Sequence, residues 1–191
     1  MTKLTIQEKA IIANHAFAQL LSPQSANESF SELSYCPLQL INDHTLLGHL
    51  SSLNPLINSI NKQSKIKVIF TGPHGYISPR WHEEQLVPTW NYASVALTCE
   101  LNFITEINDK LSAIETLSHY FDPKWDFEEF NQEKNSVLVQ QMLSAISVFT
   151  LKIIKVNSKF KLSQNRSLAC RAAFEKNLRL MGYNELADIQ V

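Results

Sequence analysis

The sequence predicts an α+β or barrel-type fold in which antiparallel strands are interrupted by helices. One observation is the alternation of apolar and more polar residues over positions 95–103, which is typical of a strand with one buried face. A second is a series of further short apolar runs at 33–41, 45–51, 65–70 and 148–156. A third is that helical patterns separate several of these runs. The 191 residues suit one domain with a substantial core.

Capping and turn residues predict where the helices begin and end. Thr5 followed by Glu8 forms a capping-box pattern, and we expect a helix whose apolar residues recur as far as position 21. Asn54 before Pro55 predicts a short helix, because Pro is favoured at the first helical position. Further helices are expected from Asn108 to about position 120, over 134–146, and from position 167 to about 181, where Gly182 stops the last one.

The stretch TGPHGYISPRW, residues 71–81, is rich in turn formers and directly follows the apolar run at 68–70. Gly72-Pro73 and Gly75 predict a tight reversal, after which Tyr76, Ile77 and Ser78 run extended. Such a stretch either forms only a hairpin or also presents its backbone to a ligand.

Composition limits the class of protein. Hydrophobic residues make up 45% of the chain and charged residues 18%, which argues against disorder. No apolar run approaches the roughly 20 residues that a membrane span needs, and the N-terminus lacks a signal-peptide pattern. The three cysteines (Cys36, Cys99 and Cys170) are odd in number and widely spaced, so we expect buried thiols in a reducing compartment, the cytoplasm.

Charge is unevenly distributed along the chain. The net charge of −1 gives no overall attraction for nucleic acid, so binding to nucleic acid is possible but unsupported. Residues 152–179, however, carry eight basic side chains against one acid, Glu175, a net +7. This segment indicates either an anion site or a solvated helix face.

The sequence lacks the motifs of several common nucleotide-binding and hydrolytic sites. With four glycines, the chain contains no GxGxxG, GxxxxGKS/T or GxSxG sequence. Its six histidines show no metal-ligand spacing, so we predict no metal site, and we nominate no catalytic acid, base or nucleophile. A phosphate would have to be held by side chains and strand amides.

Three segments carry a specific resemblance: LLGHLSSLNP (46–55), VIFTGPHGYISPRW followed by VPTWNYASV (68–95), and FKLSQNR (160–166). They resemble the PaiB family of FMN-binding transcriptional regulators and, more distantly, the pyridoxamine-phosphate-oxidase-like FMN-binding split barrels. The resemblance covers about residues 15–180. It implies an antiparallel split barrel of the Greek-key type with flanking helices, spanning 1–191 as a single domain with an N-terminal helix and a C-terminal helical extension.

The resemblance also implies FMN as cofactor, bound at the subunit interface of a homodimer. The implied cofactor-binding residues are His49, Ser51, Ser52, Tyr76, Ile77, Ser78, Thr89, Trp90, Asn91, Tyr92, Lys161, Ser163, Gln164 and Asn165. The chain departs from the family in Tyr35-Cys36-Pro37, where the family shows His-x-Pro, and in the helix beginning at Thr5.

Each implied contact has a chemical reason and a plainer alternative. His49 and Ser51 share one strand face and suit the flavin phosphate, or they form a polar strand edge with a capping serine. Residues 76–78 would line the ring edge, or form a hairpin with a packed Tyr. Residues 89–92 offer donors beside an aromatic plane, although a strand Trp is often core. Residues 161–165 would close over FMN from the other subunit, or simply form a capped turn.

These observations favour an FMN-binding split-barrel protein, and a flavin-dependent redox role is one expectation for it. If it is an enzyme, we expect an FMN-dependent oxidoreductase, since hydride transfer at a flavin needs no acid or base from the protein. The alternatives are a PaiB-like negative transcriptional regulator and a dimeric scaffold that has lost its flavin.

Overall fold

The computed structural model describes residues 3–23, 32–60, 64–83, 87–131 and 136–190. The chain divides into two compact units. Unit 1 comprises residues 1–70 and 96–156, and unit 2 comprises residues 71–95 and 157–191. Three long strands contribute residues to both.

The strands form one seven-stranded sheet in the order β2-β1-β5-β6-β7-β4-β3. Their bounds are β1 Phe17–Leu21, β2 Leu33–Pro37, β3 Gln39–Asn42, β4 Thr45–Ser51, β5 Lys65–Ile77, β6 Thr89–Ile104 and β7 Ile146–Lys161. The registers that join β1 to β2 and to β5, and β4 to β3 and to β7, are all antiparallel. The alternation that predicted β6 is reproduced, since Val95, Leu97 and Cys99 are buried.

The first helix of unit 1, α1 (Ile6–Asn14), begins as predicted. The Thr5 hydroxyl accepts from the Glu8 amide, and the Glu8 carboxylate accepts from the Thr5 amide. The helix ends earlier than predicted, because residues 17–21 form β1 and pair with β2 on one side and β5 on the other. Two ladders of backbone hydrogen bonds outweigh the helical periodicity there.

The remaining helices of unit 1 are α2 (Pro55–Ser59), α3 (Ile107–Phe121), α4 (Phe127–Phe130) and α5 (Ser136–Ser144). Asn54 caps α2 as predicted, accepting from the Leu56 amide at 2.9 Å. Helix α3 starts one position before the predicted cap, and position 134, the predicted start of α5, lies outside the described residues. A buried cluster packs α3 against β4 and β7, through Leu47, Ala113, Leu117 and Val148.

Unit 2 is built from the last part of β5, the first part of β6, the end of β7, a short 3-10 helix (Pro79–Trp81), α6 (Leu168–Leu180) and α7 (Asn184–Asp188). Its core combines both helices with the strand ends, through Ile77, Leu162, Cys170, Phe174, Leu178 and Leu186. Gly182, with φ of +81°, ends α6 as predicted.

The tight reversal predicted at Gly72 to Gly75 is wrong. β5 continues to Ile77, and the chain turns afterwards through the 3-10 helix. The β1 register covers β5 only as far as Ile69, so Pro73, which lacks an N–H, sits beyond that ladder. Gly75 has a packing role instead, because a Cβ there would lie 3.0 Å from the Leu186 side chain.

Candidate functional site

In unit 1, His49 projects from β4 into a cavity of about 330 Å³. The wall opposite the strand comes from α3 and the loop behind it. The lining is mostly apolar and includes two aromatic side chains; it comprises Pro37, His49, Ile114, Leu117, Ser118, Phe121, Asp122 and Trp125. The volume lies at the lower end of the range of small-molecule sites.

The His49 imidazole is half-buried, and its Nδ1 atom is buried without a hydrogen-bond partner among the described residues. Burial lowers the pKa of His49 below its ordinary value of 6.5, because the charged form loses its hydration. The imidazole is therefore neutral at physiological pH, with an unsatisfied polar atom whose burial without a partner is costly.

Ser51 and Ser52 end the same strand. The Ser51 hydroxyl accepts from the Leu53 amide at 3.3 Å, which is a local turn interaction. The Ser52 hydroxyl lies 3.2 Å from the Ser147 hydroxyl on β7. The hydroxyls of both predicted serines thus interact with neighbouring residues of unit 1. Ser147 adds a third hydroxyl beside them.

Ser147 also lines a second cavity of about 330 Å³ in unit 1, together with Thr105 and Lys110. The Lys110 ammonium donates to the carbonyls of Leu143 at 3.2 Å and Ile146 at 3.0 Å. An ammonium has three N–H donors, so, counting the partners in the described part of the chain, one remains for a ligand oxygen. A cation and hydroxyl groups around one cavity are the donors that a phosphate requires.

In unit 2, an aromatic row lies on the exposed face of β5 and β6. The Trp90 indole N–H donates to Nδ1 of His74 at 3.3 Å, and the Trp90 ring centroid lies 6.4 Å from that of Tyr76. Trp90 is 47% exposed and Tyr76 is 39% exposed. On β6 next to Trp90, Thr89 accepts from the Lys161 ammonium at 2.6 Å. Four sequence-predicted residues (Tyr76, Thr89, Trp90 and Lys161) are therefore available on the surface of unit 2.

Asn91 is instead fully buried in unit 2. Its Nδ2 donates to the Ser163 hydroxyl at 2.9 Å and to Oε1 of Gln190 at 3.1 Å. Ser163 adopts a positive φ of 59°, which is rare for a residue other than glycine. Asn91 thus fixes the KLSQN turn to β6 and to the end of the chain.

The other predicted residues of unit 2 fall into two groups. Ile77 is core, the Ser78 hydroxyl accepts from the Arg80 amide at 3.3 Å, and the Gln164 amide bonds the backbone of its own turn at Leu162 and Phe160. Tyr92 is half-buried and Asn165 is exposed. Ile77, Ser78 and Gln164 therefore stabilise the local structure of unit 2. Tyr92 and Asn165 keep exposed surface that a ligand could contact.

The Tyr35-Cys36-Pro37 segment borders the His49 cavity. Pro37 lines it, and the Cys36 thiol donates to the His49 carbonyl at 3.2 Å. Burial raises the pKa of Cys36 to about 12, so the thiol is inert. Tyr35 stacks on Phe17 with ring centroids 5.5 Å apart. The segment that differs from the family pattern therefore forms part of the wall of the His49 cavity.

Sequence reasoning missed Lys110, Ser147 and the α3 side of the His49 cavity. Lys110 is an isolated cation in a helix pattern, and Ser147 precedes the apolar run that predicted β7. The sequence did hold one signal for this wall of the cavity. Phe121 and Trp125 are aromatic residues near the end of a predicted helix, and the sequence predicted no place for them in the core. Only the packing of α3 on β4 and β7 brings these side chains to His49 and Ser52.

Unit 1 offers groups of the kinds that FMN requires. FMN combines a phosphate, which needs donors and a cation, with a planar ring, which needs aromatic or apolar surface and hydrogen-bonding partners. Lys110 and Ser147 meet the first requirement, and the mostly apolar cavity lined by His49, Phe121 and Trp125 meets the second. Within the described part of the chain, no helix has both the length and the apolar character to cross a membrane.

Comparisons with known structures agree with the fold class predicted from the sequence. An FAD- and haem-binding protein from Mycobacterium smegmatis superposes with a TM-score of 0.63, at 13% identity over 90% of this chain and 78% of that chain. A flavocytochrome from Azotobacter vinelandii gives 0.57, at 15% identity over 86% and 71%. These likenesses support the antiparallel split-barrel α+β fold with flanking helices.

Sequence comparisons give the family. The chain is 28% identical over 126 residues to "Protease synthase and sporulation protein PAI 2" of Bacillus subtilis, covering 65% of this chain and 60% of that protein. The match thus spans less than two thirds of the relative's length. The family described as "Putative FMN-binding domain" matches residues 4–155, which leaves the KLSQN segment outside the match. Because this match covers most of the chain, the protein belongs to that family of FMN-binding domains.

Proposed function

We propose that the protein binds FMN as a redox cofactor and holds its phosphate at the cavity lined by Lys110 and Ser147. The observation that carries the proposal is the remaining N–H donor of Lys110, on a cavity that is also lined by Ser147, whose hydroxyl pairs with that of Ser52. Hydride transfer at a bound flavin requires orientation and exclusion of water from the protein. A site in which we identify no catalytic acid or base is therefore sufficient for hydride transfer.

We further propose that the protein is a homodimer and that the surface of unit 2 faces the flavin from the partner subunit. Tyr76 and Trp90 supply exposed aromatic surface, and Lys161 supplies a cation held by Thr89. The buried residues Asn91, Ile77 and Ser78 act by holding this surface in place. Direct contact between the fourteen predicted residues and FMN remains a prediction.

The test begins with the purified protein. We expect a yellow preparation that releases FMN, identified by mass spectrometry, on heat denaturation. Colourless protein that also fails to bind added FMN would contradict the proposal and favour a scaffold that has lost its flavin. NAD(P)H-driven bleaching of the bound flavin would support redox use.

The phosphate site is tested by comparing FMN with riboflavin, which lacks the phosphate. Lys110→Met retains the aliphatic stem and removes the charge, so we expect FMN affinity to fall about tenfold with riboflavin affinity unchanged. Lys155→Met, at an exposed position of β7 in unit 1, is the matched control and should change neither affinity. Equal losses for both ligands would place the phosphate elsewhere.

A second candidate function is transcriptional regulation, because of the similarity to the Bacillus subtilis sporulation protein. The basic region of unit 2 is the candidate surface, although Arg179 already pairs with Glu175 at 3.0 Å and Asp188 at 2.8 Å. Exposed Lys159 and Lys176 remain. A salt-dependent DNA mobility shift that is lost in Lys159→Gln/Lys176→Gln would favour this function, and no shift at low salt would exclude it.

A further inference from the structure

The His49 cavity has the wrong chemistry for the flavin phosphate, which is the group that the sequence motif GHLSS was expected to contact. Its lining is predominantly apolar, and the formally charged side chain in it is an acid, Asp122. A phosphate there would lose its hydration, face a carboxylate and find a neutral imidazole. Each of these effects opposes binding of an anion.

The same cavity suits a flat, uncharged ring. Phe121 and Trp125 provide aromatic walls, and Ile114 and Leu117 provide an apolar base on α3. The polar residues are few: His49, Ser118 and Asp122. An apolar pocket with a small number of hydrogen-bonding groups is the usual arrangement around a heteroaromatic ligand.

We propose that the cavity lined by His49, Phe121 and Trp125 binds an uncharged planar heteroaromatic ring, and that the two aromatic side chains and the His49 imidazole form its contact surface. The ring has two possible sources, the isoalloxazine of FMN or a separate heteroaromatic substrate. The first source rests on the proposed function, whereas the second requires only the cavity.

The experiment measures the affinity of three probes by calorimetry and by quenching of Trp125 fluorescence, with Trp125→Phe as the background. FMN and riboflavin are titrated into flavin-free protein, and nicotinamide is titrated into both flavin-free and FMN-saturated protein. The variants are His49→Leu, which removes the imidazole, and Ser118→Phe, which fills the cavity from the surface of α3. The second variant keeps the test valid if the first fails to fold.

If the ring is that of the flavin, both variants weaken FMN and riboflavin by the same factor, about tenfold or more. If the ring belongs to a separate substrate, flavin affinities stay unchanged and nicotinamide binding is lost in both variants. Lys110→Met weakens FMN alone, which separates failure of the phosphate site from failure of this inference.

Two results would overturn the inference. One is weakening of FMN without weakening of riboflavin in His49→Leu, which would make His49 a phosphate contact. The other is unchanged binding of all three probes in Ser118→Phe, which would leave the cavity without a ligand. If the protein binds neither flavin nor nicotinamide, the proposed function and this inference both fail.

Discussion

At the scale of single residues, Asn91 shows how a polar side chain inside unit 2 organises a segment without being exposed itself. Its amide group bonds Ser163 and Gln190, which lie far from it in sequence. Ser163 holds a backbone conformation that costs about 1–2 kcal/mol for an L-residue. The Asn91 bonds contribute to offsetting that cost.

We therefore expect Asn91→Ala to lower the free energy of unfolding by about 2 kcal/mol, because it leaves Gln190 buried with fewer partners. Urea denaturation measures the loss. The control is Asn102→Ala, at an exposed position of the same strand, with an expected change within about 0.5 kcal/mol. Equal effects in the two variants would show that the Asn91 bonds contribute nothing specific.

His49 leads to a prediction about pH. Because its folded-state pKa lies below the ordinary 6.5, the unfolded chain takes up the proton first as the pH falls. Stability associated with this group is therefore full above about pH 6.5 and declines below it. Asp122 is the charged side chain that lines the same cavity.

Urea unfolding of the protein and of His49→Gln, measured from about pH 7.5 down to pH 5.5, isolates this contribution, since the other histidines are common to both. We expect the difference in unfolding free energy to shift in favour of the variant as the pH falls. A difference that is independent of pH would show that burial does not lower the pKa of His49.

At the scale of elements, α6 illustrates a stop signal that acts through the backbone alone. Gly182 has a φ of +81°, and a Cβ added there would meet nothing within 4 Å. The Gly182 amide donates to the Arg179 carbonyl at 3.0 Å, and the Tyr183 amide donates to the Leu178 carbonyl at 2.9 Å. Glycine is therefore favoured at position 182 because of the backbone conformation, and not because a larger side chain would clash.

Gly182→Ala should therefore destabilise the protein by about 1 kcal/mol through backbone strain. Gly182→Asn should cost less, because Asn tolerates the left-handed region. Thermal unfolding followed by circular dichroism distinguishes the two variants. An Asn variant as unstable as the Ala variant would contradict the assignment of the cost to φ.

Elements with strong local signals were predictable, and β5 shows why others were not. The capping box of α1, the Asn-Pro start of α2 and the glycine stop of α6 all follow from contacts within a few residues. Residues 72–75 carry turn formers, yet they are strand, because neighbouring strands decide pairing. Residues 17–21 were misassigned for the same reason.

At the scale of the whole molecule, the proposed dimer explains why an aromatic row is exposed on unit 2. Trp90→Glu places a charge in that row, and we expect it to shift the protein from dimer to monomer in analytical ultracentrifugation and to weaken FMN binding. Leu180→Glu, at a position 76% exposed on α6 in the same unit, is the control and should remain dimeric. A Trp90 variant that stays dimeric with full FMN affinity would remove the row from the interface.

The sequence by itself determined the fold class, the family and the cofactor, because these depend on apolar periodicity, on caps and on short motifs that are local in the chain. The tertiary structure decided which polar residues are available. It buries Asn91, engages Gln164 in its own turn, and gives Ser52 a partner in Ser147 beside Lys110. It also encloses His49 behind α3, where burial keeps the imidazole neutral. Burial and pairing depend on residues distant in sequence, so a motif alone could not distinguish a ligand contact from a structural bond.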